Sequence, residues 1–231
     1  MTLFASCDIQ EKGSKTDVYI LHGFRSSQAL MHSFKQYFQK KPVNVISCSA
    51  RGHGSRLKDG KEWEFDQTLQ EYSELITQRS KALGTEAITI GHSIGGSQSI
   101  ALGISNPHVK QAIGVSALYD LSIVTDPNNH QTFTQKLLFA LRPLAKIATQ
   151  PKTFPASYPS CQPEYASKLF LLHNTNDQVI LPSETAKNKQ HLCLPDSNVY
   201  YYNGTKMFGH RTFNAIPYMD NEYLDQILKI N

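Results

Sequence analysis

The sequence predicts an α/β fold, a mostly parallel sheet with helices on both faces and a small helical cap. Three observations predict it. From residue 17 onward, strand-like and helix-like segments alternate, the order produced when helices make the crossovers between parallel strands. The 231 residues, 40% of them hydrophobic, allow one large domain or two small ones and can bury a sizeable core. With no internal repeat and no low-complexity linker, they read as a single domain over residues 1–231. One stretch, residues 119–168, is far longer than a crossover needs and places a cap insertion at about residues 121–167.

Residues 17–21 form the first strand. Residues 27–40 read as a helix with Leu30, Phe34, Tyr37 and Phe38 on one face. Residues 43–47 are the next strand. Asp66 caps a helix that turns Leu69, Tyr72 and Ile76 inward and stops at Gly84. The apolar, β-branched run at residues 86–90 is a buried strand. Residues 96–104 are a helix with small residues nearest the preceding turn, and Asn106-Pro107 ends it. Residues 111–116, 168–173 and 197–202 are further strands. Pro217 opens a last helix carrying Tyr223, Leu224, Ile227 and Leu228. Inside the long stretch, residues 133–147 are helical and amphipathic, with Leu137, Leu138, Leu141, Leu144 and Ile147 apolar. A proline–aromatic loop follows at residues 151–159. The stretch reads as a lid or binding loop, against the alternative of a surface excursion with no ligand role.

Composition excludes several classes. No apolar run approaches the roughly 20 residues of a membrane span, so no integral membrane segment is expected. The first residues lack a basic segment followed by an apolar one, so no signal peptide is expected. Cys7, Cys48, Cys161 and Cys193 are scattered without C-x-x-C spacing, which argues against zinc. Free thiols in a cytoplasmic, reducing setting are the expectation. The net charge of +4 is mild and its cations are dispersed, so no nucleic-acid partner is expected.

The chemistry centres on Gly91-His92-Ser93-Ile94-Gly95, a G-x-S-x-G pattern. A chain of this length carries such a pattern by chance about once in ten cases. Here it lies between a strand and a helix, the setting of a serine at the tip of a sharp turn, and that makes Ser93 a candidate nucleophile. Side chains at Gly91 and Gly95 would collide with the adjacent strand and helix. A serine hydroxyl needs a base, and an imidazole titrates in the right range. His22, His53, His92, His173 and His210 all follow strands. Only His210 leaves an acid-bearing strand end between the serine and itself, the chain order of serine, acid, histidine. The acid is Asp177, in the loop after residues 169–172, with Asp120 the runner-up; for either, the alternative is a loop aspartate capping the next helix. The backbone N–H of Ile94, at a helix N-terminus, and that of Phe24, in the His22-Gly23-Phe24-Arg25 loop after the first strand, are the candidate oxyanion donors.

These residues resemble the α/β-hydrolase superfamily. The resemblance rests on His22-Gly23-Phe24, Arg51-Gly52-His53-Gly54-Ser55, Gly91-His92-Ser93-Ile94-Gly95-Gly96, Asp177 with Val179 and Pro182, and Gly209-His210, in family order over nearly the whole chain. The R-G-H-G-S and G-H-S-x-G-G forms look most like the monoacylglycerol-lipase and small-esterase branch. The resemblance implies a mostly parallel eight-stranded sheet, here missing its first strands, with the cap inserted after the sixth. It also implies hydrolysis of carboxylic esters or thioesters through an acyl-enzyme on Ser93, with a small-molecule acyl substrate and neither cofactor nor metal. An acyltransferase, a peptidase, a C–C hydrolase or a non-catalytic binding member would share the fold. One departure stands out: the family usually has glycine three residues before the acid, and this chain has Asn174. Asparagine tolerates φ > 0, so the expectation is a turn that survives.

Smaller signals have bland readings beside sharp ones. Arg25 and Arg51 pair with nearby carboxylates or meet an anionic substrate group. His92 packs or hydrogen-bonds beneath the turn, and His53 braces its own loop. Trp63 and Phe65 pack ahead of a helix or line an acyl pocket. Cys48 carries no chemistry.

Overall fold

The computed structural model describes residues 4–24, 26–59, 65–121, 135, 158–204, 210 and 221–230. Among the described residues, seven strands form one sheet: β1 (Cys7–Gln10), β2 (Thr16–Leu21), β3 (Asn44–Cys48), β4 (Glu86–His92), β5 (Val109–Val115), β6 (Leu169–Asn174) and β7 (Val199–Tyr202), in the order β1-β3-β2-β4-β5-β6-β7. Every neighbouring pair is parallel except β1 with β3. The described helices are α1 (His32–Gln39), α2 (Phe65–Leu83), α3 (Ile94–Ser105), α4 (Tyr165–Lys168), α5 (Pro182–Leu192) and α6 (Asn221–Leu228).

Alternation along the strands builds two cores. Val18 and Ile20 of β2 turn to the face covered by Phe34 and Phe38 of α1 and by Leu224, Ile227 and Leu228 of α6. Tyr19 and Leu21 turn to the other face, under α2, α3 and Leu192 of α5. Helices on both faces follow from strands that are apolar on both faces.

The structure corrects the sequence reading at four places. Residues 27–40 are not one helix. Gln28–Met31 is a 3-10 turn ahead of α1, and its three-residue period buries Met31 in line with Phe34 while leaving Leu30 47% exposed. Strand β1 was not foreseen, because four residues with alternating partial exposure carry almost no pattern. The sheet therefore has an antiparallel edge drawn from the N-terminal extension.

The cysteines are not free. Cys7 bonds to Cys48 and Cys161 to Cys193. Cys7 and Cys48 are register partners across β1 and β3, so the pairing is set by strand alignment and is invisible in spacing. The cytoplasmic expectation drew on free thiols and loses that support. Finally, Asn174 has no positive φ; it is the last residue of β6.

Among the described residues, no helix is long and apolar enough to cross a membrane. The expected helix at residues 133–147, most of the proline–aromatic loop, Pro217, and most of the cap lie outside the described residues.

Candidate active site

Strand β4 runs into α3 through Ser93, whose backbone is forced to φ 58°, ψ −124°. An L-residue takes such a conformation only where its surroundings impose it. They do so here by close approach. A Cβ on Gly91 would lie 2.0 Å from the carbonyl oxygen of Gly95, and one on Gly95 would lie 2.5 Å from the carbonyl oxygens of Leu21 and His22. The Ser93 N–H donates to the Val115 carbonyl at 2.8 Å, which ties the turn to the end of β5.

Ser93 Oγ lies 3.0 Å from His210 Nε2, and His210 Nδ1 lies 2.8 Å from Asp177 Oδ2. Burial would raise the Asp177 pKa, but the charge and hydrogen bond of His210, then His173 and the Ile180 N–H, pull it down to about 2. The carboxylate is therefore an acceptor at neutral pH. Nδ1 then carries the proton, and Nε2 is left to accept the Ser93 hydroxyl. The runner-up acid is placed differently: the Asp120 N–H and the Tyr119 N–H donate to Glu184 Oε2 at 2.9 and 3.0 Å, and the imidazole sits on Asp177.

The loop carrying Asp177 is held from beneath. Its second oxygen, Oδ1, accepts the N–H groups of Val179 and Ile180, each at 2.9 Å. His173, fully buried, lies 2.9 Å from the Ile180 carbonyl through Nε2 and 2.7 Å from the Thr185 hydroxyl through Nδ1. A carbonyl can only accept, so Nε2 donates and the Thr185 hydroxyl donates to Nδ1. Burial keeps His173 neutral by lowering its pKa. Gln135, a buried residue of the insertion, donates Nε2 to the Val179 carbonyl at 2.7 Å. His173 was weighed from sequence only as a candidate base, and Glu184 and Gln135 were not singled out, since a buried polar side chain in a helix carries no motif.

The loop after β2 abuts the serine turn. A Cβ on Gly23 would lie 3.1 Å from Ser93 Cβ and 3.0 Å from the His92 carbonyl oxygen. Phe24 follows directly, and Ile94 is the first residue of α3. His22 fixes this loop: its Nε2 accepts the Ala50 N–H at 2.9 Å and its Nδ1 donates to the Gly23 carbonyl at 2.8 Å. Burial and the nearby His53 push its pKa down to about 4.

The rings of His22 and Phe24 stand 5.3 and 5.8 Å from that of His53. His53 in turn donates Nδ1 to the Arg51 carbonyl at 2.9 Å, bracing its own loop as expected. Arg51 lies 3.4 Å from Glu71, the carboxylate partner foreseen for it. Arg56, fully buried and not foreseen, holds the same loop through two bonds to Glu71 at 2.6 and 2.9 Å.

His92 is buried beneath the turn with its ring 4.8 Å from that of His210. Burial, reinforced by His210, lowers its pKa to about 3. Phe65 is a core residue, and Arg25 and Trp63 lie outside the described residues. Among the described residues, no cluster of three or more histidine, cysteine or acidic side chains is arranged to hold a metal ion.

A family model described as serine aminopeptidase, S33 matches residues 12–168. Among solved structures, the chain is similar to an esterase of Pyrococcus furiosus, at 19% identity and a TM-score of 0.67, covering 94% of this chain and 84% of that one. It is also similar to a soluble variant of the monoglyceride lipase of Saccharomyces cerevisiae, at 14% identity and a TM-score of 0.61, covering 97% and 90%. At these identities the likeness is one of fold. No curated protein matches the chain by sequence.

Proposed function

Because the chain belongs to the serine aminopeptidase (S33) family and has the α/β-hydrolase fold, we propose that it is a serine hydrolase that cleaves small carboxylic esters or thioesters through an acyl-enzyme on Ser93. The observation that carries this is the continuous line from Ser93 Oγ through His210 to Asp177, at 3.0 and 2.8 Å. His210 Nε2 takes the hydroxyl proton as Ser93 Oγ adds to the carbonyl carbon. The Phe24 and Ile94 N–H groups receive the oxyanion, the second with the help of the α3 dipole. Collapse breaks the carbonyl carbon's bond to the leaving oxygen or sulfur, which takes the proton from His210 and departs as alcohol or thiol. Water, deprotonated by His210, then adds to the acyl-enzyme and frees the acid and Ser93. Asp177 keeps the imidazole in its productive tautomer and stabilises the imidazolium.

A fluorophosphonate probe tests the reading: it should label the wild type and leave Ser93→Ala untouched, and labelling that survives the substitution would overturn it. A second reading is favoured by the description of the matching family, an aminopeptidase. The same triad would then open an aminoacyl amide. Aminoacyl anilides set against short acyl esters separate the two, and preferred turnover of the anilide would move the substrate class.

A further inference from the structure

We propose that Asn174 is a positioning residue for the reaction: its carboxamide clasps the loop carrying Asp177 to the segment that leads to His210, and so sets the distance between acid and base. The proposal rests on the serine-hydrolase reading above.

Asn174 ends β6 three residues before Asp177, is fully buried, and stands where related sequences are expected to have glycine. The glycine's conformational freedom is not what this position uses, because Asn174 has no positive φ. Its side chain does the work instead. Oδ1 accepts the N–H of Asn176, in the acid loop, at 3.0 Å, and the N–H of Gly204, just past the end of β7, also at 3.0 Å. One sp² oxygen thus uses both lone pairs on two loops.

Gly204 makes room for this: a Cβ there would lie 2.7 Å from Asn174 Nδ2 and 3.0 Å from Cγ. A second layer repeats the link. Asn176 Nδ2 donates to Asn203 Oδ1 at 2.6 Å and to the Gly204 carbonyl at 2.7 Å, and the Thr175 N–H donates to the Tyr202 carbonyl at 2.9 Å. The Asn174 carbonyl accepts the Asp177 N–H at 3.0 Å. One of the segments so joined holds Asp177; the other reaches Gly204, six positions before His210 in the chain, and Asp177 and His210 share the 2.8 Å hydrogen bond.

The same geometry explains why the side chain is an amide. Glycine at 174 would leave the buried Gly204 N–H without this acceptor. Aspartate would accept both N–H groups but add a negative charge three residues from Asp177, where β6 enters the same loop. Among the described residues, the other titratable groups that bear on His210 are His92, whose ring lies tilted at 4.8 Å from it, and His173, behind the acid loop.

Kinetics of Asn174→Gly, Asn174→Ala and Asn174→Asp on a short acyl ester test the clasp, with folding verified by circular dichroism. Loss of alignment at a reacting centre costs up to about 100-fold. Asn174→Gly and Asn174→Ala are therefore expected to lower kcat roughly 10- to 100-fold with KM nearly unchanged, and to slow fluorophosphonate labelling in parallel while it still runs to completion.

Asn174→Asp is expected to keep most of kcat and to move the acid limb of the pH–rate profile upward, because the added charge favours the imidazolium. Wild-type kcat and labelling rate in a folded Asn174→Gly would overturn the proposal, as would an unshifted profile in Asn174→Asp should the other two variants not fold. A wild-type protein inert to the probe would instead overturn the serine-hydrolase reading and is distinguished by that.

Discussion

Two buried aspartates mark opposite edges of the sheet, and they are used in opposite ways. Asp17, at the amino edge, is fully buried and takes Arg79 Nε at 2.8 Å, Asn44 Nδ2 at 2.7 Å and Thr85 Oγ1 at 3.1 Å. Asp177, at the carboxyl edge, takes two backbone N–H groups on one oxygen and His210 on the other. Both satisfy a buried carboxylate, as burial requires. At Asp17 the main charged partner is a guanidinium, which never gives up its proton. At Asp177 it is an imidazole, which exchanges a proton through its far nitrogen.

The backbone adds to the contrast at the site itself: Ser93 holds φ 58°, ψ −124°, costly for an L-residue, whereas Asp17 lies within the regular strand β2.

The comparison can be broken most sharply with matched amide variants. Asp177→Asn leaves the carboxylate's shape but can no longer fix the His210 tautomer, and kcat is expected to fall about 10⁴-fold, the dominant effect of this substitution. Asp17→Asn takes the buried carboxylate from Arg79 and leaves it, among the described residues, only the exposed Glu11 at 2.8 Å. The expected cost is about 3–5 kcal/mol of stability with kcat per folded molecule retained. Thermal melts and active-site-titrated kinetics measure both. A large kcat loss in Asp17→Asn would mean that the two edges are coupled and the contrast is false.

The candidate triad was nameable from the sequence because it is written as local motifs with a fixed chain order. Ser93 lies in G-x-S-x-G, Asp177 after a strand, and His210 next to glycine. The sheet was legible for a similar reason: five of its seven strands are buried on nearly every residue and read as apolar runs. What escaped depends on pairing between distant segments. Cys7 meets Cys48 only through the antiparallel register of β1 on β3. Asn174 meets Gly204 only once β6 and β7 are side by side. A buried Arg56 looks in sequence like any surface arginine until Glu71 is brought to it by α2. Side-chain clasps and disulfides are properties of the assembled sheet.

The disulfide at the β1–β3 edge sharpens the comparison next. It closes a loop with a sequence separation of 41, and loops of that size contribute roughly 2–4 kcal/mol. Cys7→Ser with Cys48→Ser is expected to lower stability by about that amount while leaving kcat nearly intact, because the staple holds an edge strand and touches none of the triad. Thiol titration of the denatured wild type should find no free thiol before reduction and four after it. Four thiols without reductant would restore the free-cysteine expectation.

The smallest expected effect is a difference in acid sensitivity between the edges. His22 is lowered to about 4 and His92 to about 3, in both mainly by burial, and His53 and His173 are lowered as well. Each therefore has a folded-state pKa below its unfolded value near 6.5. Between about pH 6.5 and 4 the unfolded chain binds protons that the folded chain refuses, so stability falls as pH falls through that window. Asp177 acts in the same sense over a lower window: held at about 2, it stabilises the fold above its unfolded value near 3.9 and loses that contribution only below it. Acid should thus loosen the carboxyl edge first through its histidines. The slope of unfolding free energy against pH between 6.5 and 4 reports how many of them must be neutral. His22→Asn can still accept the Ala50 N–H and is expected to lower that slope by about one proton, roughly 1.4 kcal/mol per pH unit. A slope identical to the wild type would mean that His22 is protonated within the fold and that the loop carrying Phe24 tolerates a charge.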